Sequence, residues 1–522
     1  MDRKDTVFAV AMLICGFLYW NLIVSKGPGA GITIFAIILC ATVTVYLRVS
    51  GKKLTKKSIL CLAIVGVSVL NFLLYDLTLI SFFNFIFLSV AVVYWICLCT
   101  ERSIAGKLSI YSIGNLVNQL LVVPFSNFIC LFASFRRPMK GNKYGKGVLS
   151  GVIGIIIFLP ILALVVNLLM NADAAFEGLL RNIKFSLSED MIEYVIQIIF
   201  GIPVACYLYG LVYGNLKGRH TDKVSIESID KGAAAFRFAP RIPVFSALTV
   251  LNGIYLLFFI SQTAYLFSAF GNNIPETMTY AEYARRGFFE LCGVAFINLL
   301  VIGVAHLITN RSNERKTQEL VGNSKPANSK AANQKPSLEK VPKVLKIETV
   351  FLCGFTLLLI LTALRKMIMY IDYYGLTQLR VYTTWFMLVL FIFFIIIGVR
   401  QFKEFNGSRI AIIAFIISFL ALTYGNVDGN IAKYNIERYK EGTLLSVDVE
   451  MLKELSDAAI PHMVELYGET EDPVLMGRLE SAITGEYEWG MEVELPSERN
   501  FRNFNLQQYK ADQLKLNFLY RE

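Results

Sequence analysis

Long apolar segments alternate with short polar ones over the first 425 residues of the chain. An α-helix rises about 1.5 Å per residue, so a run of about 20 apolar residues crosses the hydrocarbon layer of a bilayer. The pattern therefore predicts eleven transmembrane helices, at approximately 7–24, 31–47, 58–74, 79–98, 147–170, 191–213, 244–267, 287–309, 347–369, 382–399 and 408–425.

The basic residues of the connecting loops are concentrated on one side of these predicted spans. That side holds the N-terminus with Arg3 and Lys4, and its loops 101–146, 214–243 and 310–346 contain seven, six and nine basic residues. Because cytoplasmic loops are enriched in Lys and Arg, this side is predicted to be cytoplasmic. Eleven crossings then leave the C-terminus on the extracytoplasmic side.

A further apolar stretch, 110–135, complicates this count. It is interrupted by polar residues such as Asn115 and Asn118, and Lys107 and Arg136 flank it. Positive charge at both ends favours a cytoplasmic position for both ends. The stretch is therefore predicted to be re-entrant or interfacial rather than a twelfth span. The three alternatives stay open at this point.

Two segments without long apolar runs divide the rest of the chain. Residues 310–346 are rich in Lys, Ser, Asn and Pro, which predicts a flexible cytoplasmic linker. This linker separates a membrane domain of eight spans, 1–309, from one of three spans, 347–425. Residues 426–522 contain 10 basic and 19 acidic residues and several short helix patterns. The predicted fold is an all-α integral membrane protein of about eleven transmembrane helices, with a small extracytoplasmic helical module at 426–522.

Composition agrees with a membrane protein and excludes several functions. Of the 522 residues 55% are hydrophobic and 17% are charged, whereas soluble proteins have about one quarter charged residues. The net charge of +10 arises mainly from the cytoplasmic loops, so no nucleic-acid partner is predicted. The nine cysteines lie in apolar segments and the three histidines are far apart, so neither a metal site nor a cofactor is predicted.

Several polar and aromatic motifs fall on the predicted outer side. They are TYAEYARRGFFEL at 279–291, RKMIMYIDYYGLTQLRVYT at 365–383 and NVDGNIAKYNIERY at 426–439. Arginine side chains suit phosphate and carboxylate groups, which predicts a ligand site if the motifs pack together. For each motif a structural role, as an interface anchor or a turn, is the alternative. The predicted ligand-binding residues are Glu282, Arg285, Arg286, Glu290, Arg365, Tyr374, Arg380, Tyr382, Asp428, Asn435 and Arg438.

These motifs, with LSDAAIPHMVEL at 455–466 and FRNFNLQQYKA at 501–511, resemble the signature segments of a bacterial membrane family. The family is multi-pass, is typical of Gram-positive bacteria and is catalogued as a domain of unknown function, the 4153/4173 group. The resemblance extends from NADAAF at 171–176 to the C-terminal tail and is weaker over the first four spans. It implies a bacterial cell-membrane protein and carries no established activity, substrate or catalytic residue.

Three functional hypotheses follow from these observations. The first is a transporter or sensor that binds an anionic or amphiphilic envelope molecule at the outer leaflet, such as an anionic lipid, an envelope precursor or a peptide. The second is a scaffold or regulatory protein whose outer helical module docks an extracytoplasmic protein partner. A membrane enzyme is the weakest hypothesis. Glu282 and Glu290 have the chemistry of an acid/base pair, but no GxSxG, HExxH or Walker A motif occurs, and no catalytic residue is predicted.

Overall fold

The computed structural model describes residues 2–24, 27–76, 78–103, 108–135, 189–271, 287–310, 341–484 and 500–520, and the single residue 169. Over these ranges the secondary structure is helical, and no named β-strand occurs among them. Apart from residue 169, the predicted fifth span at 147–170 lies outside the described residues. So do most of the predicted linker and the site residues Glu282, Arg285 and Arg286.

The described helices are numbered here in chain order. The first are α1 (Arg3–Tyr19), α2 (Ala30–Val49), α3 (Lys56–Leu74), α4 (Thr78–Cys99), α5 (Tyr111–Val117), α6 (Val123–Ser126), α7 (Cys130–Phe135), α8 (Glu189–Lys217) and α9 (Ile226–Ala235). They are followed by α10 (Arg241–Gly271), α11 (Phe288–Ile308), α12 (Lys343–Tyr374), α13 (Gln378–Phe402), α14 (Gly407–Tyr424), α15 (Val427–Lys440), α16 (Val449–Glu454), α17 (Ile460–Glu469), α18 (Pro473–Thr484) and α19 (Leu506–Leu519).

Ten described helices are long and apolar enough to cross a membrane, namely α1 to α4, α8 and α10 to α14. Each coincides with a predicted span. Many of their outward-facing side chains are apolar, such as Ile37, Phe82, Phe351 and Ile417, as expected for helices surrounded by lipid tails. The chain is therefore an all-α multi-pass membrane protein, which confirms the predicted fold class. The total of eleven spans stays a prediction.

By their internal contacts the described residues form two compact units. The first unit contains those of 1–107, 111–225 and 452–522, and the second contains 108–110 and those of 226–451. Packing thus assigns α15 to the second unit and α17 to α19 to the first. The chain is predicted to leave the membrane at 425/426, where the extracytoplasmic module would begin, and this boundary stays a prediction.

In the first unit, α8 makes unusually close contacts with two neighbours through its glycines. A Cβ atom on Gly16 of α1 would collide with the backbone of Gly201. A Cβ on Gly210 would lie 2.5 Å from the Pro124 carbonyl oxygen, and one on Gly214 would lie 2.5 Å from the Asn127 side chain. Small residues let helix backbones approach closely in membranes. Glycine at these positions therefore explains why α1 and the 111–135 segment pack tightly against α8.

Residues 111–135, called the broken segment below, consist of α5, a π-helical turn at Asn118–Val122, α6 and α7. Near its start, Asn115 donates a hydrogen bond to Cys97 at the end of α4. Near its end, the carbonyl of Ser134 accepts one from Thr6 at the start of α1. Lys4 in turn donates to Val49 at the end of α2. Both ends of the segment therefore lie at the same end of the first unit. Whether it is re-entrant or interfacial stays open.

The opposite end of α2 is covered by the C-terminal part of the chain. The amide of Gly31 donates to the carbonyl of Arg502 at 2.6 Å, and the amide of Ala30 donates to that of Phe504 at 2.9 Å. These carbonyls bind amides in the first turn of α2, which have no partner within the helix. α19 is attached to α17 and its preceding turn by an ion pair between Lys515 and Asp457 at 2.7 Å and by ring packing.

Candidate functional site

In the second unit, five predicted site residues meet at the connection between α12 and α13. Asn435 of α15 accepts a hydrogen bond from the Leu376 amide at 2.7 Å and donates one to the Leu376 carbonyl at 2.8 Å. Asp428, also on α15, accepts a hydrogen bond from the Gln378 side chain at 2.8 Å. This arrangement, which includes Tyr374, Arg380 and Arg438, is called the turn clasp below.

The arginines of the turn clasp have partners within the protein. Arg380 donates to the carbonyls of Tyr374 and Gly375, which end α12, and its guanidinium carbon lies 4.2 Å from the centre of the Tyr370 ring. Cations and hydrogen-bond donors are favourable at a helix C-terminus because the last carbonyls have no partner within the helix. The geometry therefore gives Arg380 a capping role.

Arg438 is bound in a similar way. Its guanidinium donates to the Thr443 hydroxyl at 3.0 Å and to the Tyr434 hydroxyl at 3.2 Å, and it lies 3.8 Å from the Asp372 carboxylate. The exposed Asp372 makes this ion pair a weak one. Arg438 thus joins the end of α12 to the end of α15.

Three further predicted residues of the second unit are described. Glu290 is exposed in the first turn of α11, Arg365 is half-buried within α12, and Tyr382 is half-buried on α13. Tyr382 lies close enough to Asp428 of the turn clasp for the two groups to interact electrostatically. The ligand-binding role of the whole predicted set stays a prediction. Among the described residues, no group of three or more His, Cys, Asp or Glu side chains could hold a metal ion.

The first unit contains a cavity of about 440 Å³ that sequence reasoning missed. Side chains from α1, α2, α4, the broken segment and α8 line it, including Ile23, Ile32, Phe35, Phe128, Tyr207 and Leu211. Nearly all of its lining is apolar. Of its few polar groups, the Ser89 hydroxyl donates to the Phe85 carbonyl at 2.8 Å and the Tyr207 hydroxyl donates to the Leu120 carbonyl at 3.0 Å.

The cavity is about half open rather than enclosed, so a molecule from outside can enter it. Water is a poor occupant, because an ordered water needs two to four polar partners. An apolar group therefore fits the cavity best.

Polar side chains are buried immediately beyond the cavity. Asn215 donates to Gln119 at 2.6 Å, and Asn118 donates to the Thr221 carbonyl at 3.0 Å. Leu120, next to Gln119, lines the cavity, as does Leu211, whose carbonyl accepts a hydrogen bond from Asn215. The side-chain oxygens of Asn118 and Asn215 are buried and have no hydrogen-bond partner among the described residues. Buried polar atoms of this kind are commonly bound to internal water.

Comparison with known proteins identifies a family but no activity. A family model described as "Domain of unknown function (DUF4153)" matches residues 59–321 and 332–466, which is most of the chain. The match includes the turn clasp and three of the five elements that line the cavity: α4, the broken segment and α8. Comparisons with the curated proteins and with the solved structures gave no significant match. The chain therefore belongs to the DUF4153 family.

Proposed function

We propose that this protein binds an amphiphilic, lipid-like molecule of the cell envelope, whose apolar chain occupies the cavity of the first unit. The cavity is the observation on which this proposal depends. Four membrane-spanning helices contribute to its wall, so a bound chain would lie at the depth of the lipid hydrocarbon. Its volume of about 440 Å³ is within the range of small-molecule sites, about 300–1,000 Å³.

The polar end of the ligand is expected near the connection between α1 and α2. The cavity extends to Ile23 and Ile32, which flank this connection. The basic residues of the sequence favour an extracytoplasmic position for this end. The resemblance to a bacterial family supports the bacterial cell membrane as the location. The proposal is therefore an amphiphile of the outer leaflet.

The turn clasp has a different part in this proposal. Arg380 and Arg438 donate to acceptors within the protein, so a ligand would have to replace those contacts. The proposal therefore assigns ligand binding to the first unit and gives the turn clasp a structural role. Transport and sensing are both compatible with a bound amphiphile.

Filling the cavity tests the proposal. Ala36 of α2 is buried and lines the cavity, whereas Ile37 is 60% exposed. Ala36→Phe is expected to weaken the binding of a fluorescent fatty-acyl lipid to the purified protein by at least about tenfold, because the ring occupies the space of the chain. Ile37→Phe, the control on the neighbouring residue, is expected to bind as the wild type does.

A second cavity-filling variant, Val204→Phe on α8, shows whether weaker binding results from filling the cavity or from a local distortion of α2 by Ala36→Phe. Each variant must elute as a monodisperse peak and keep a cooperative thermal transition. Wild-type affinity in both folded cavity variants would contradict the proposal.

A further inference from the structure

We infer that Arg502 binds the anionic head group of this amphiphile, so that the ligand is an anionic lipid. The inference rests on the proposed function, because it concerns the head group of a ligand whose apolar chain lies in the cavity. It concerns a residue outside the predicted site and outside the part of the chain that the family model matches.

Backbone hydrogen bonding fixes Arg502 at one end of the cavity. The Arg502 carbonyl accepts a hydrogen bond from Gly31 at 2.6 Å, and the next residue, Ile32, lines the cavity. The Leu22 carbonyl packs against Gly31, and Ile23, which follows Leu22, also lines the cavity. Arg502 thus lies where the π-helical turn Trp20–Val24, which follows α1, meets the first turn of α2.

The helix N-terminus at this position is not the anion site. The amides of Ala30 and Gly31 already donate to the carbonyls of Phe504 and Arg502. A head group at this end of the cavity therefore needs a donor from a side chain. Arg502 is the basic side chain that this backbone pairing brings to the start of α2.

The side chain of Arg502 is suited to an anionic partner. It is half-buried, its Nε atom is inaccessible to solvent, and that atom has no hydrogen-bond partner among the described residues. Its guanidinium carbon lies 5.8 Å from the ring of Phe501. Because the side chain is only half-buried, part of it stays accessible to a ligand, and arginine binds phosphate through two parallel hydrogen bonds.

Aromatic side chains around Arg502 point to a lipid rather than to a soluble anion. The Phe501 ring is 62% exposed, and Tyr509 on α19 is half-exposed. Both belong to the segment that covers the end of the spanning helix α2. Exposed aromatic rings at the ends of spanning helices lie at the level of the lipid head groups. The phosphate that reaches Arg502 is therefore expected to be that of a lipid.

Lipid selectivity of the purified protein tests the inference. The probes are phosphatidylglycerol and diacylglycerol, a lipid without a phosphate group, with identical acyl chains, and binding is measured by displacement of a fluorescent lipid. The wild type is expected to prefer phosphatidylglycerol by about tenfold, the scale of one charge-assisted hydrogen-bonded contact. Arg502→Gln is expected to remove this preference without changing the affinity for diacylglycerol. Arg502→Lys is expected to keep part of it.

The control is Arg478→Gln, which removes an exposed arginine from α18 of the same unit. This variant is expected to keep the wild-type preference. Equal affinity of wild type and Arg502→Gln for phosphatidylglycerol would overturn the inference and leave the proposed function intact. Wild-type binding of both lipids by the folded Ala36→Phe and Val204→Phe variants would instead overturn the proposed function. If inorganic phosphate alone displaced the probe as well as phosphatidylglycerol does, the site would be one for free phosphate, and the lipid assignment would fall.

Discussion

At the scale of single residues, Asn435 determines how α12 and α13 are joined. Gly375 ends α12 with a φ of 77°, in the left-handed region that glycine tolerates best. The next residue, Leu376, has its amide and its carbonyl bound by the Asn435 carboxamide. Backbone groups outside a helix need such partners when they are shielded from water. The conformation of this connection therefore depends on a side chain 59 residues away in the sequence.

Replacing Asn435 tests this dependence. Asn435→Ala removes both hydrogen bonds to Leu376 and is expected to lower the free energy of unfolding by about 2 kcal/mol, because the backbone partners stay half-buried. The measurement is the thermal unfolding midpoint in detergent. The control is Lys433→Ala on the exposed side of α15, which loses only a surface ion pair with Glu437 and is expected to change stability by less than about 0.5 kcal/mol. Equal midpoints for the two variants would refute the role of Asn435.

Sequence reasoning found part of this site but not its contacts. Arginine, tyrosine and asparagine in the motifs at 365–383 and 426–439 marked residues that do come together. Their pairing could not be predicted, because a carboxamide that binds the backbone of a distant turn leaves no periodic signal. The same residue types serve an anion site or a capped helix, and the difference lies in where their donors point. Arg502 lies in the motif at 501–511 but was not among the predicted ligand-binding residues, because a single arginine in a helical region has no pattern that marks a site.

At the scale of helices, glycine controls how closely α1 and α8 pack. Gly16 and Gly201 face each other so closely that neither has room for a Cβ atom. Lipid tails are as apolar as the helices, so association within the membrane depends on such van der Waals contacts. The neighbouring glycines of α8 allow the broken segment to approach in the same way. The cavity lies among these elements, so its shape depends on their close packing.

Two glycine-to-alanine substitutions with different expected effects on the free energy of unfolding test this packing. Gly16→Ala is expected to lower the free energy of unfolding by about 1–3 kcal/mol, because α1 must move away from α8. Gly66→Ala on α3, where a Cβ would meet nothing within 4 Å, is expected to leave stability unchanged or raise it by up to about 1 kcal/mol. Thermal unfolding of both variants in one detergent compares them. A Gly16→Ala midpoint equal to that of Gly66→Ala would contradict the close contact.

The elements themselves were largely predictable, and their arrangement was not. Each described span could be read from the sequence because the length of an apolar run is a local property. The π-helical turn at 118–122 has no comparable local signature. The cavity is lined by ordinary apolar residues from five separate elements, so the hydrophobic pattern could not distinguish it from a filled core.

At the scale of the whole molecule, contacts within the first unit place the N-terminus and the C-terminal segment at opposite ends of α2. Lys4, near the start of α1, contacts Val49 at one end of α2, and Arg502 contacts Gly31 at the other. The twenty residues of α2 span about 30 Å, the thickness of the hydrocarbon layer. A cytoplasmic N-terminus, as the charge pattern predicts, therefore requires an extracytoplasmic position for residues 500–507. This relation holds whatever the total number of spans.

Reporter fusions test this sidedness in cells. An alkaline phosphatase fused after residue 522 is expected to be active, because it would be exported, whereas the same enzyme fused after residue 50 is expected to be inactive. Green fluorescent protein at the same two positions should give the reverse result. A fluorescent fusion after residue 522 would contradict the assignment and would put the Arg502 end of the cavity on the cytoplasmic side.

The most direct test of the proposed function is an experimental density map of the protein purified with its native lipids in nanodiscs. If the cavity binds a lipid, the map will show an elongated, unbranched density between α1, α2, α4 and α8, in contact with Phe35 and Tyr207, with a head group near Arg502. A map in which protein side chains fill this space, or in which it holds only water, would contradict the proposed lipid binding.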